Sequence, residues 1–243
     1  VTVQPSARSL SGDARAVEEA AAATGTELGA LGVNVVLAPV ADLTDGGGVI
    51  GDRSYGTDPE LTAEMVVASI NGLTSAGVAP AVKHWPGHGA TNVDSHLQLP
   101  VLEVENAIWR RRERVPFAAA VAAGVDVVMV GHLAIPDIDP TGEPATVSPV
   151  LLDGLLRRDL GFDGVVMTDA LDMGAVRSID RGQLAVRAVL AGVDILLVPP
   201  DLLAARDGLD AALTDGSLSE ERLDASVERI LRLKQRLGLL PTP

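Results

Sequence analysis

The sequence predicts an α/β fold built on a parallel sheet, and three observations carry that prediction. Five short apolar runs, residues 33–40, 78–83, 125–130, 164–168 and 193–198, are rich in β-branched side chains and show no polar alternation. Strands buried on both faces read this way. Ala-rich stretches of helical character lie between the runs. The phrase Ala-Gly-Val recurs at 76–78, 123–125 and 191–193, each time joining a helical stretch to an apolar run. It reads as one short helix-to-strand turn used repeatedly. Regular strand–helix alternation makes a parallel sheet, and both a closed barrel and a doubly wound sheet fit it.

The helical stretches follow in order. Residues 13–31 form the first, closed by Gly32 as a C-terminal cap. Residues 59–76 end at Gly77, and residues 103–123 end at Gly124. Residues 148–160 and 181–191 continue the pattern, with Gly192 after the second. Residues 218–237 form the last helix, with Ser217 or Ser219 as its N-cap and Glu220 and Glu221 in the first turn, where the helix dipole favours acids. No Gly-x-Gly-x-x-Gly follows a strand, so a dinucleotide site is not expected, and Gly46-Gly47-Gly48 lacks that spacing.

Composition removes other classes. The net charge of −14 repels nucleic-acid phosphates. No apolar run reaches the 18 residues of a membrane span. With no cysteine there is no disulfide, no thiolate metal site and no thiol nucleophile. The 47% hydrophobic content suffices for a sizeable core. The chain starts at Val1 with no charged-then-apolar leader, so the compartment stays open between cell envelope or secreted and cytoplasmic.

Polar residues follow the strands. Asp42 follows the first run, Lys83 and His84 end the second, His132 follows the third and Asp169 the fourth. In parallel α/β folds the carboxyl ends of the strands share the face that carries the site. The densest segment is Lys83-His84-Trp85-Pro86-Gly87-His88-Gly89, followed by Asp94-Ser95-His96, which holds three of the four histidines. One reading is a metal site from His84, His88, Asp94 and His96, but Pro86 and Gly87 prevent a helix from aligning the first two. The other is acid/base work. A carboxylate two residues before an imidazole fixes the ring's tautomer and makes His96 a candidate proton donor. Asp169, set directly after an apolar strand, supplies a second acid that is costly to bury without a purpose. A proton donor facing an Asp is the requirement of retaining glycoside hydrolysis.

The segment 83–89 with Asp94-Ser95-His96 resembles the signature of glycoside hydrolase family 3, in its β-N-acetylglucosaminidase branch. Ala38-Pro39-Val40-Ala41-Asp42, Ile50-Gly51-Asp52-Arg53-Ser54-Tyr55-Gly56 and Thr168-Asp169-Ala170-Leu171-Asp172-Met173 are similar to further family segments in the same order, as is the helix at 229–234. Trp85 stands where Phe is commoner in the family. The resemblance implies a TIM-like (β/α) barrel and a two-step retaining mechanism. It implies Asp169 as nucleophile and His96, paired with Asp94, as general acid and then base. Arg53, Lys83 and His84 would hold a terminal N-acetylglucosamine by its hydroxyls, and His88 would order the loop. His132 takes no role from it. No cofactor and no metal is implied. The implied partner is a carbohydrate, an N-acetylglucosamine-containing muropeptide or glycan. The aromatic content of 2% leaves little for sugar stacking, which puts recognition on hydrogen bonds to a single sugar.

The expected organisation is one catalytic barrel domain over residues 1–243, lacking the family's N-terminal strands and its second, sandwich domain. A missing start would leave open, apolar sheet edges. The alternatives to the hexosaminidase reading are a β-glucosidase or β-xylosidase of the same family, and an inactive sugar-binding fragment.

Overall fold

The computed structural model describes residues 2–91 and 93–241. It has an α/β fold of two compact units, residues 1–92 with 104–129, and residues 93–103 with 130–243.

The first unit opens with a short helix α1 (Ala7–Leu10) and a long α2 (Ala14–Ala30), capped by the Asp13 carboxylate on the N–H of Ala16. Strand β1 (Val35–Val36) pairs parallel with β2 (Ala79–Trp85), Val35 opposite Ala79 and Val36 opposite Pro80. Helix α3 (Pro59–Ser75) joins them, with Pro59 in the first turn, where its missing N–H costs nothing. Strand β3 (Val127–Val130) follows α4 (Asn106–Arg111) and α5 (Arg114–Ala122), and β1, β2 and β3 are neighbours in that order. The expected run 33–40 is a ladder of two residues plus a bridge from Val40 to Lys83, because Pro39 has no N–H to give. The expected helix 103–123 is broken at Arg112, whose carbonyl cannot receive a helical bond from Pro116.

Trp85, at the end of β2, anchors this unit's core. It is fully buried, edge-on to Trp109 at 5.6 Å and to Phe117 at 5.3 Å between ring centroids. The indole N–H of Trp109 donates to the Pro86 carbonyl at 2.9 Å. The loop leaving β2 is thus tied to α4 by a buried hydrogen bond as well as by aromatic packing.

The second unit takes up the chain at Val130. Strand β4 (Val165–Thr168) is buried throughout. Helices α6 (Arg181–Ala191), α7 (Leu202–Asp215) and α8 (Glu220–Arg236) follow, and Val186, Val189, Ala212 and Leu218 make a small core among them. Ser219, not Ser217, caps α8, through its hydroxyl on the Arg222 N–H. The stretch 148–160 is a π-helix (Val150–Asp159), with the Ser148 hydroxyl accepting the N–H of Leu151. The expected fifth strand is reduced to one parallel bridge, Met167 to Ile195. Beyond it the Thr168 hydroxyl takes the N–H of Leu197, a place a ladder bond would otherwise hold. Asp194 binds this region to the helices: its buried carboxylate accepts from Arg157 at 2.6 Å, Arg229 at 3.2 Å, the Ser226 hydroxyl at 2.6 Å and the Val166 N–H at 2.9 Å.

Among the described residues no helix is long and apolar enough to cross a membrane.

Candidate active site

The candidate residues divide between the two units. In the first, Arg53 ends a 3-10 turn (Gly51–Arg53), and its guanidinium donates to the carbonyls of Ile50 at 3.2 Å and Val49 at 2.8 Å. The side chain is exposed. Lys83 and His84 lie within β2, which ends at Trp85, two residues past the apolar run 78–83. The reason is Trp85, which extends the buried face.

Asp42 organises this part. Its carboxylate is fully buried and accepts the His84 ring Nδ1–H at 2.6 Å and the His88 backbone N–H at 2.6 Å. Burial by itself would raise its pKa, but the attraction of His84, that ring's hydrogen bond and the His88 N–H together hold it below the usual carboxylate range. His88 in turn contacts the Thr91 hydroxyl through Nδ1 at 2.8 Å. Neighbouring Gly89 packs so tightly that a Cβ there would sit 2.3 Å from the Leu43 carbonyl oxygen. The segment 83–91 is therefore braced from below, by the strand end that carries Asp42. The sequence placed Asp42 at a strand end but offered no sign of its bond to His84, a pairing across 42 residues.

The second unit holds the remaining candidates. Asp94 accepts both the ring Nδ1–H of His96 at 2.7 Å and its backbone N–H at 2.9 Å. The carboxylate thereby fixes the tautomer, leaving Nε2 as the nitrogen turned away from it. The ring is mostly exposed. Asp169 directly follows β4; its N–H donates to the Val130 carbonyl at 2.8 Å, and its Oδ1 accepts the Ala170 N–H at 2.8 Å.

What joins these groups lies in the backbone. Gly174 N–H donates to the His96 carbonyl at 3.0 Å and Ala175 N–H to the Ser95 carbonyl at 3.1 Å. The segment that begins with Asp169 thus closes on the loop that carries Asp94 and His96. A Cβ at Gly174 would lie 2.3 Å from the Leu97 carbonyl oxygen and 2.6 Å from that of His96, so the approach requires glycine. Nothing in the local sequence marks Gly174, because its partner is about eighty residues away in the chain. The metal reading finds no set of ligands: among the described residues no three His, Asp or Glu side chains gather as a metal site would need.

The fold and these groups define a parallel α/β protein with a hydrogen-bonded Asp–His pair and a strand-end carboxylate linked through one backbone segment. The chain belongs to glycosyl hydrolase family 3: residues 1–233 match the "Glycosyl hydrolase family 3 N terminal domain". It is 34% identical to "Beta-hexosaminidase A" of Pseudoalteromonas piscicida over 89% of this chain and 40% of that protein. It is 35% identical to "Beta-N-acetylglucosaminidase/beta-glucosidase" of Cellulomonas fimi over 92% of this chain and 42% of that protein. A solved glycoside hydrolase family 3 β-N-acetylglucosaminidase from Paenibacillus sp. str. FPU-7 superposes with a TM-score of 0.95 at 45% identity, covering 100% of this chain and 48% of that one. The chain thus spans less than half the length of these relatives.

Two outcomes follow. Because the folded pKa of Asp42 lies below the ordinary unfolded value near 3.9, its stabilisation is complete above about pH 4 and is lost as pH falls through the folded value. Asp42→Asn should lower stability at pH 7 by about 3–5 kcal/mol, as breaking a buried pair does, and flatten the acid side of the stability profile. Urea unfolding at a series of pH values measures both, and parallel curves for the two proteins would contradict the assignment. Gly174→Ala should cost about 1–3 kcal/mol by overpacking and expose residues 93–98 to protease, and an unchanged cleavage rate there would show that the latch does not hold the loop.

Proposed function

We propose that this chain is the catalytic part of a retaining β-N-acetylhexosaminidase that releases terminal, non-reducing N-acetylglucosamine, with peptidoglycan-derived fragments as the substrate class. Residues 1–243 are taken as one catalytic barrel domain. The observation that carries the reading is the Asp94–His96 pair at 2.7 Å, latched by Gly174 to the segment that starts at Asp169. Family membership and the names of the relatives support N-acetylglucosamine as the sugar released.

In the first step an Asp169 carboxylate oxygen attacks the anomeric carbon. The bond to the leaving oxygen breaks, and that oxygen takes a proton from His96 Nε2. In the second step the ring, now neutral, takes a proton from water. The water oxygen bonds to the anomeric carbon, Asp169 departs as a carboxylate, and His96 regains its proton. Asp94 holds Nδ1–H in both steps, so the same nitrogen faces the leaving group and the water. A neutral base suits the second step, since it adds no negative charge beside the departing Asp169 carboxylate. Arg53, Lys83 and His84 are assigned the sugar hydroxyls, the first two as charged donors suited to that task. The name borne by the Cellulomonas fimi relative also covers β-glucosidase, which favours glucosides as a second substrate.

The test is hydrolysis of aryl N-acetyl-β-glucosaminides by the chain. Asp169→Ala should lose on the order of 10⁴-fold in kcat. His96→Ala should lose far less with p-nitrophenol as leaving group than with a poor leaving group, because an activated phenolate needs little protonation. Proton NMR should show the β-anomer released first. Equal turnover by Asp169→Ala, or the α-anomer first, would sink the proposal. The rate ratio between glucosaminide and glucoside decides the second substrate.

A further inference from the structure

His132 is fully buried two residues beyond Val130, the end of β3, and the mechanism above does not use it. Its ring bridges two elements. Nδ1 lies 2.5 Å from the Thr146 hydroxyl, and Nε2 lies 3.0 Å from the Ala170 carbonyl oxygen. A carbonyl only accepts, so Nε2 carries a hydrogen whatever the state of Nδ1. The ring therefore donates to the residue that follows Asp169.

That residue is held on both sides. The Ala170 N–H donates to Asp169 Oδ1 at 2.8 Å, and the Ala170 carbonyl receives the hydrogen from His132. On either side of Ala170 the chain is pinned by main-chain bonds, Asp169 N–H to Val130 and Leu171 N–H to Leu197 at 2.9 Å. The Ala170 N–H is one of the groups that orient the Asp169 carboxylate. The rotation of Ala170 depends on its carbonyl, and His132 is the side chain that fixes this carbonyl. Thr146 sets the ring in turn, since a hydroxyl on Nδ1 prevents it from rotating away from Ala170.

We infer that His132 is a positioning residue for the Asp169 carboxylate, acting through the Ala170 carbonyl. This rests on the reading of Asp169 as nucleophile. A nucleophile displaced by about 1 Å loses about a hundredfold in rate. Loss of the His132 bond should therefore lower kcat more than it changes KM, because both ring nitrogens are engaged by protein groups, Thr146 and Ala170.

The experiment compares His132→Leu, His132→Gln and His132→Asn with wild type and Asp169→Ala, each checked for folding by circular dichroism and assayed on p-nitrophenyl N-acetyl-β-glucosaminide. His132→Leu should lose about 10- to 100-fold in kcat with KM within about twofold. A Gln amide can place an N–H where Nε2 was, whereas the shorter Asn reaches only the Nδ1 position. His132→Gln should accordingly recover most of the rate and His132→Asn should not. A purely packing role would follow side-chain shape and favour Leu over Gln. Wild-type kcat in a folded His132→Leu overturns the inference. If Leu does not fold, equal rates for Gln and Asn overturn it. An active Asp169→Ala removes the nucleophile reading and the inference with it. An inactive Asp169→Ala beside an unimpaired His132→Leu removes the inference alone.

Discussion

The second unit is organised by a short stretch of backbone, residues 169–175. Its first residue hangs on Val130 through a main-chain bond, and its last two donate to the carbonyls of His96 and Ser95. These bonds set an acid and an imidazole from distant parts of the chain on opposite ends of one rigid connection. Gly174 makes the approach possible, since any Cβ would collide with the Leu97 and His96 carbonyls. His96 is held at two places, its ring by the Asp94 carboxylate and its backbone carbonyl by the Gly174 N–H. Groups that must act in concert need to be held within a fraction of an ångström, and backbone hydrogen bonds supply that with little loss of side-chain entropy.

The first unit solves a related problem with a buried charge. A fully desolvated carboxylate at Asp42 would be unfavourable alone. Here the His84 ring and the His88 N–H offset that cost, and in return they fix the chain direction after β2. The buried Trp85–Trp109–Phe117 group and the indole bond to Pro86 hold the same loop from the apolar side. Lys83 and His84 are thus presented by a strand end with polar and apolar supports on either face.

Features whose physics is local were readable in the sequence. Apolar β-branched runs marked the strands, the glycines at 77, 124 and 192 marked helix ends with positive φ, and the two-residue spacing of Asp94 and His96 allowed one carboxylate to reach both the ring and the backbone of the same residue. Other features were not, some of them local and some decided at long range. Pro116, by withholding the N–H that the Arg112 carbonyl would receive, divides the helical stretch 103–123 into α4 and α5. The π-helix at 150–159 has no periodicity that distinguishes it from an α-helix in ten residues. Helix α7 has a good N-cap in Asp201, after two prolines, but its apolar pattern is interrupted by Arg206, Asp207 and Gly208. The partners of Asp42, His132 and Gly174 lie 42, 38 and some eighty positions away, and only the folded chain brings them together.

The central claim is that Asp169 bonds covalently to the sugar while His96 moves the proton. Its most direct test is to treat the chain with a 5-fluoro N-acetyl-β-glucosaminyl fluoride, digest it at low pH, and read the peptides by mass spectrometry. One added fluorinated N-acetylglucosaminyl group is expected on the peptide containing Asp169, located to that residue by fragmentation. A label on any other side chain, or full turnover of the reagent with no covalent adduct at any time point, would contradict it.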